Sequence, residues 1–162
     1  MIEEEDTMEM GQILALIGAA LAVILGGIGS AYGVGIAGQA TAGVVAENDE
    51  AFGKCLVLQV LPGTQGIYGF LIAFIVLIKT NVLGGMISLT NAQGWLVLAS
   101  CLPIAIVGLV SAIYQGRVAA SAIGMVGRNA EASGKGIVMT VMVETYAVLA
   151  LLASFLMVWF II

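Results

Sequence analysis

One acidic residue, Glu144, interrupts the apolar run that extends over residues 136–162. If this run crosses a bilayer, an ionised carboxylate near its centre costs about 3 kcal/mol or more. The side chain is therefore expected to be neutral, paired with a cationic group, or bound to a cation. A structural role stays open, since a protonated carboxyl could hydrogen-bond to a neighbouring helix. The sequence favours a role in handling an ion, because polar side chains occur at matched depth in other apolar runs.

Four residues of the second apolar run share one helical face, since their spacing is i, i+3, i+4 and i+7. They are Leu61, Thr64, Gln65 and Tyr68. Three of them carry a side-chain oxygen. Pro62 lies among them and lacks an amide hydrogen, so the backbone carbonyl one turn back loses its hydrogen-bond donor. The hydrogen bond to the carbonyl of a neighbour such as Leu61 is expected to be weakened as well, which makes that oxygen available for coordination. This face could therefore present hydroxyl, amide and carbonyl oxygens to an ion.

Gln115 in the third apolar run offers another amide oxygen. A carboxylate at Glu144 with these oxygens suits a small hard cation such as Na+ better than it suits a bare proton site. H+ is the alternative cargo. For Thr64, a hydrogen bond to its own helix is an equally good hypothesis. For Gln65 and Gln115, which are amides in hydrocarbon, ligation of the ion is the favoured one.

The composition of the chain places these residues in a membrane. Of the 162 residues, 61% are hydrophobic and 9% are charged, and the mean hydropathy is +1.14, so a soluble core could not be covered by polar surface. Charge-free runs longer than the ~20 residues that cross a bilayer separate Glu9 from Glu47, Lys54 from Lys79, and Lys79 from Arg117. A fourth run follows Lys135. These runs are apolar on every face, which predicts an all-α integral membrane protein with four helices.

Two features of the composition exclude other classes of protein. The chain contains no His, which rules out a His-based catalytic dyad and most transition-metal sites. The sequence has no basic patch of the kind that binds nucleic acid, so no nucleic-acid partner is expected. Cys55 and Cys101 lie in different apolar runs and are expected to be small buried hydrophobic residues.

The chain contains an internal sequence repeat, because residue n resembles residue n+81. The pairs include Ser30 with Ser111, Gly35 with Gly116, Lys54 with Lys135, and Phe74 with Phe155. A constant offset of this kind indicates an internal duplication. The repeat unit is a helical hairpin. The predicted organisation is an acidic N-terminal tail at residues 1–10, a first transmembrane hairpin at 11–81, a connector at 82–93, and a second hairpin at 94–162 that carries Glu144.

The distribution of charges predicts the orientation in the cell membrane. Lys54, Arg128 and Lys135 flank the two hairpin loops, whereas Lys79 alone lies near the connector. Positive residues favour the cytoplasmic side, so the loops are expected in the cytoplasm and both termini outside. The acidic tail, which holds five of the ten acids, is expected to be solvated and flexible.

The first helix of each hairpin is rich in small residues. They are Gly26, Gly29, Gly33 and Gly38 in the first hairpin, and Gly108, Ala112, Gly116 and Ala120 in the second. Small residues let transmembrane helices approach closely. Packing within one chain would explain them, but two such stripes favour a tightly curved oligomer with these helices on its inner wall.

Three segments carry a resemblance to a known family. They are LQVLPGTQGIYGF at residues 58–70, YQGRVAA at 114–120 and VMVETYA at 141–147. They resemble the proteolipid K, or c-type, subunit of V-type rotary ATPases in the bacterial sodium-transporting branch. The likeness covers nearly the whole chain from Gly11. The acidic extension before Gly11 is not part of the family pattern.

The resemblance implies a ring of identical four-helix subunits that turns in the lipid against a stator membrane subunit while ATP is hydrolysed on other subunits. The chain itself would not be an enzyme. The stator would supply an arginine to pair with the acid, and a central-stalk subunit would sit on the cytoplasmic loops. In the family the cation is held by residues matching Glu144, Thr64, Gln65, Gln115 and the Leu61 backbone carbonyl, with Tyr68 supporting the carboxylate. A small cation-coupled secondary transporter is the alternative, although 162 residues leave little room for a substrate cavity.

Overall fold

The computed structural model describes residues 8–162, so the acids Glu3, Glu4, Glu5 and Asp6 of the predicted tail lie outside the described residues. The described chain forms five α-helices joined by short 3₁₀ turns. The α-helices are α1 (Met10–Glu47), α2 (Phe52–Val60), α3 (Thr64–Lys79), α4 (Asn91–Arg128) and α5 (Ser133–Ile161). Residues 8–162 contain no β-strand, which confirms the predicted all-α class.

Four segments are long and apolar enough to cross a membrane. They are Met10–Glu47, Asp49–Gly84, Asn91–Arg128 and Ala130–Ile161. The second segment combines α2 and α3. The hairpin loops are a single extended residue and one 3₁₀ turn each, at Asn48 with Asp49–Ala51 and at Asn129 with Ala130–Ala132. The chain is thus two tandem helical hairpins, as the sequence predicts.

Pro62 separates α2 from α3 by a local change of helix type. The three residues Leu61–Gly63 form a 3₁₀ turn, since a proline cannot donate the hydrogen bond that would continue an α-helix. The Leu61 carbonyl is not left free by this turn. It accepts the backbone N–H of Thr64, which starts α3.

The first helices of the two hairpins form a central pair. α1 and α4 run in the same direction, and Gly33 of α1 packs directly on the Ala112 and Gly116 backbone of α4. Each second helix packs on its own first helix, and α3 also contacts α5. Glycines permit this approach because no side chain separates the two backbones. Part of both small-residue stripes is therefore used for packing within one chain.

The connector end of the bundle is held by the start of α1. The Glu9 carboxylate accepts hydrogen bonds from the Ser88 hydroxyl at 2.8 Å and from the Leu89 N–H at 3.1 Å. The Gln12 side chain donates to the Ile87 carbonyl at 3.1 Å. These contacts satisfy backbone groups of a segment that has no regular structure of its own.

The two cysteines are free thiols in different packing regions. Both Cys55 and Cys101 are fully buried. Cys101 lies in the cluster at the connector end of the bundle, and Cys55 lies in the cluster near the hairpin loops. The prediction of small buried residues is confirmed.

Candidate ion-binding site

Glu144 lies on α5 and receives two hydrogen bonds from other helices. The Tyr68 hydroxyl of α3 donates to its Oε1 at 2.6 Å. The side-chain Nε2 of Gln115 in α4 donates to its Oε2 at 3.2 Å. The carboxylate is partly buried and faces no cationic side chain within hydrogen-bond reach in the described chain. Neutral donors therefore hold both carboxylate oxygens in place. These donors do not balance the negative charge of the carboxylate, which is left for another partner.

Two glutamines form the buried centre of the site. Gln65 of α3 and Gln115 of α4 are both completely buried. The Gln65 Nε2 donates to Oε1 of Gln115, and the same amide lies 3.3 Å from the Ser111 hydroxyl. A buried amide must find partners to offset its desolvation. The pair meets this requirement and connects α3 to α4 next to the carboxylate.

Thr64 and Leu61 complete the row of polar groups. The Thr64 hydroxyl donates to the Leu61 carbonyl oxygen at 3.0 Å, and it lies 3.3 Å from Oε1 of Gln65. The hydrogen bond of Thr64 to its own helix, which the sequence left as an equal alternative, is thus present. Three oxygens of different chemical type lie side by side at the 3₁₀ turn.

All six residues singled out in the sequence are linked by one series of hydrogen bonds and close contacts. In order they are Leu61, Thr64, Gln65, Gln115, Glu144 and Tyr68. They come from three helices and from the 3₁₀ turn between α2 and α3. The helical spacing in the sequence predicted one face; the structure turns that face toward α4 and α5.

Glycines allow the helices to meet at this level. A side chain at Gly26 of α1 would lie 2.8 Å from the Gln65 carbonyl oxygen, so α1 packs against the backbone of the site. A side chain at Gly108 of α4 would lie 3.8 Å from Cβ of Gln65. This close approach of α1 and α4 contributes to the complete burial of Gln65. Small residues of the central pair therefore position the polar residues of α3 as well.

Ser111 is a member of the site that the sequence analysis did not assign. Its hydroxyl donates to the Val143 carbonyl at 3.0 Å and lies beside Gln65. The available signal was its position four residues before Gln115, which places both on one face of α4. The equivalent residue of the first repeat, Ser30, instead accepts the backbone N–H of Gly66 at 2.7 Å.

The donor set fits a single monovalent hard cation. It offers one carboxylate together with neutral amide, hydroxyl and carbonyl oxygens, which are the ligands that hard cations prefer. The described residues contain no group of three or more His, Cys, Asp and Glu side chains that could hold a metal ion. One negative charge and one positive charge would give a neutral complex.

The comparison with known families decides between the predicted functions. A family model that describes the ATP synthase C-subunit matches residues 17–76 and again residues 98–157. The chain belongs to the ATP synthase C-subunit family. The two matches begin 81 residues apart and end 81 residues apart, which confirms the internal duplication.

Two curated relatives extend the family match over almost the full chain. The chain is 47% identical over 152 residues to the V-type sodium ATPase subunit K of Enterococcus hirae, covering 94% of both proteins. It is 40% identical over 145 residues to the A-type ATP synthase subunit K of Methanocaldococcus jannaschii, covering 90% of this chain and 61% of that relative. Both relatives are named as K subunits, one of an ATPase and one of an ATP synthase.

These similarities confirm the predicted resemblance to the proteolipid subunits of rotary ATPases. As a member of the C-subunit family, the chain is a multi-pass membrane protein and a non-catalytic, ion-translocating component of a larger complex, not an enzyme on its own. The prediction of a rotor-ring proteolipid holds over that of a secondary transporter. The family also implies a ring of identical subunits.

Proposed function

We propose that this chain carries Na+ across the membrane as the rotor-ring subunit of a V-type ATPase, with Glu144 as the ion carrier. The observation that carries the proposal is the position of Glu144, whose two oxygens are held by Tyr68 and Gln115 beside a row of neutral oxygens. The relative with 47% identity is named as a sodium ATPase subunit, which supports Na+ as the cargo.

In this proposal, five residues ligate the ion and a sixth supports the carboxylate. The ligands are Glu144, Gln65, Thr64, Gln115 and the Leu61 backbone carbonyl, and the support is Tyr68. Oε1 of Gln65 and the Thr64 hydroxyl already lie 3.3 Å apart, close enough for one cation to replace their mutual contact. Gln115 must turn its amide to ligate, because its oxygen accepts from Gln65 and its nitrogen faces Glu144.

The charge balance of the site explains how rotation could move an ion. A neutral complex of Glu144 and Na+ can pass through lipid, whereas an empty charged site incurs the cost of a buried carboxylate. A stator membrane subunit would present an arginine that pairs with Glu144 and displaces the ion into an aqueous channel. The electrical work is about 2.3 kcal/mol per charge per 100 mV, which ATP hydrolysis on other subunits must supply.

The distribution of basic residues supports an orientation in the cell membrane. Lys54 and Lys135 stand at the hairpin-loop end, where Lys54 donates to the Ala130 carbonyl of the other loop at 3.2 Å. We place these loops in the cytoplasm, in contact with a central-stalk subunit, and both termini outside.

Modification by dicyclohexylcarbodiimide tests the proposal, since the reagent attacks a protonated carboxyl in an apolar site. The purified complex would be treated with the reagent over a range of NaCl concentrations, with choline chloride keeping the ionic strength constant. We expect modification at Glu144, located by mass spectrometry of peptides, and protection of Glu144 by Na+. Modification that is indifferent to Na+ would contradict the sodium proposal and favour a proton carrier.

A further inference from the structure

The Ser111 hydroxyl connects the buried glutamines to a backbone carbonyl of α5. It donates to the Val143 carbonyl oxygen at 3.0 Å and accepts from Nε2 of Gln65 at 3.3 Å. A hydroxyl has one hydrogen to donate, and a backbone carbonyl can only accept. Because its hydrogen is used for Val143, Ser111 can only accept from Gln65. The Val143 carbonyl therefore sets the direction of both hydrogen bonds.

This direction determines which end of the Gln65 amide faces the ion site. Ser111 requires the nitrogen of Gln65 on its side, so the amide oxygen lies on the other side. Oε1 of Gln65 is accordingly 3.3 Å from the Thr64 hydroxyl, in the row of neutral oxygens. If the amide turned over, its two N–H groups would point into that row, and Ser111 would have to give up Val143 to satisfy the turned oxygen.

Thr64 does not favour this orientation of the amide when the site is empty. Its hydroxyl donates to the Leu61 carbonyl at 3.0 Å, so it presents lone pairs to Oε1 of Gln65. Two oxygens that both act as acceptors repel each other, whereas a cation between them is attracted by both. Ser111 therefore holds Gln65 in an orientation that suits a site with a cation better than a site without one.

The carboxylate end of the series does not fix the amide once the ion is bound. Gln115 donates to Glu144 at 3.2 Å and accepts from Gln65 while the site is empty. In the loaded site proposed above, Gln115 turns its oxygen to the ion and its nitrogen toward Gln65. A turned Gln115 favours a turned Gln65, whose oxygen could accept from it. Ser111 opposes this turn from the other side of Gln65.

Burial makes the orientation of Gln65 costly to reverse. Ser111 is 6% exposed and Gln65 is completely buried. A buried polar atom that loses its partner is destabilising, because water does not replace the lost hydrogen bond. The hydrogen bond from Gln65 to Ser111 therefore contributes to the shape of the site although Ser111 itself need not touch an ion.

We propose that Ser111 is a positioning residue that sets the preference of the site for Na+ over H+. It holds the Gln65 oxygen toward the ion through its hydrogen bond to Nε2. Binding of a proton needs only Glu144 with its two donors, Tyr68 and Gln115, so Ser111 does not contribute to it. This inference rests on the proposed sodium function and adds a determinant of its ion preference.

Ser111→Ala separates the binding of the two ions. The purified complex would be modified with dicyclohexylcarbodiimide in two series, one over NaCl concentration at fixed pH and one over pH without Na+. We expect the Na+ concentration that half-protects Glu144 to rise about 3-fold to 10-fold, the usual effect of one hydrogen bond. The pH of half-maximal modification without Na+ should stay unchanged. An unchanged Na+ curve, or a change of the pH curve by the same factor, would overturn the proposal.

Ser154→Ala is the matched control for the loss of a buried serine. Ser154 also links α5 to α4, since its hydroxyl accepts from the Ile104 N–H at 3.1 Å, and it is completely buried. It lies about 15 Å along α5 from Glu144. A purely structural effect would appear in both serine variants. We expect the parental Na+ curve for Ser154→Ala, and an equal loss of protection in both variants would overturn the positioning role of Ser111.

Two further comparisons complete the test. Ser111→Thr keeps the hydroxyl and should need at least about threefold less Na+ for half-protection than Ser111→Ala; a threonine variant no better than alanine would overturn the role of the hydroxyl. The parental complex distinguishes this inference from the function on which it rests. Absence of Na+ protection in the parent refutes the sodium proposal, whereas a protected parent with an unaffected Ser111→Ala curve refutes only the role of Ser111.

Discussion

The Tyr68 hydroxyl lies 2.6 Å from Oε1 of Glu144, although 76 residues separate the two in the chain. The contact joins α3 of the first hairpin to α5 of the second. The duplication has thus been used asymmetrically, because the acid of one repeat is oriented by a phenol of the other. A donor of this kind orients the carboxylate, whose second oxygen accepts from the side-chain amide of Gln115.

Tyr68→Phe should weaken sodium binding without abolishing it. The change removes one hydrogen bond to a charged group, which is worth about 1.5–3 kcal/mol. This corresponds to roughly a 10-fold to 100-fold increase in the Na+ concentration that half-protects Glu144 from carbodiimide. Tyr32→Phe, at an exposed tyrosine on α1, is the matched control and should leave the protection curve unchanged. A Tyr68→Phe variant with the parental curve would remove Tyr68 from the site.

Glu144→Gln should abolish ion transport while leaving the ring assembled. The substitution keeps the size of the side chain and removes the charge that the cation neutralises. Sodium uptake by vesicles containing the whole complex should fall to the background, and native gels should show rings of unchanged size. Glu50→Gln, in the exposed first hairpin loop, should transport normally. Transport by the Glu144→Gln complex would exclude Glu144 as the carrier.

Much of the fold was predictable because hydropathy and helical spacing act locally. The apolar runs predicted the four spans, and the spacing of Leu61, Thr64, Gln65 and Tyr68 predicted one polar face. Apolar runs of this length predict helices reliably, since every backbone N–H and C=O group of these spans must be hydrogen-bonded within a helix when it lies in lipid. A sequence can therefore place polar groups on a helix face at a given depth.

The orientation of each helix about its own axis was not predictable in the same way. α4 packs on α1 through Gly33 and Gly116, and in this packing Ser111 of α4 lies beside Gln65. The same sequence pattern in the first repeat directs Ser30 to the backbone N–H of Gly66. The spacing of Ser111 from Gln115 shows only that the two share a helix face, whereas the direction of that face depends on contacts between helices such as that of Gly33 with Gly116.

A double-mutant cycle on the two buried glutamines should show strong coupling. Gln65→Leu leaves Oε1 of Gln115 without its donor, and Gln115→Leu leaves Nε2 of Gln65 without that acceptor, at a cost of about 1–3 kcal/mol each. The double variant removes both partners and should be less destabilised than the sum of the single variants by at least about 1 kcal/mol. Unfolding in sodium dodecyl sulfate, followed by tryptophan fluorescence, measures the three values. Additive costs would mean that the amides do not depend on each other.

Gly33→Ala should destabilise the single chain far more than Gly43→Ala does. A Cβ at Gly33 would collide with the Ala112 carbonyl oxygen and lie 2.7 Å from Cβ of Pro62, so α1 and α4 must move apart. Overpacking of this kind typically costs about 1–3 kcal/mol. A Cβ at Gly43 meets nothing within 4 Å, and alanine favours the helix over glycine by about 1 kcal/mol, so that variant should be neutral or more stable. Unfolding of the two variants as detergent-solubilised monomers separates this effect from ring assembly. If Gly33→Ala and Gly43→Ala were equally stable, α1 and α4 would have to accommodate a Cβ at residue 33 without clashing, which contradicts the close contact between them.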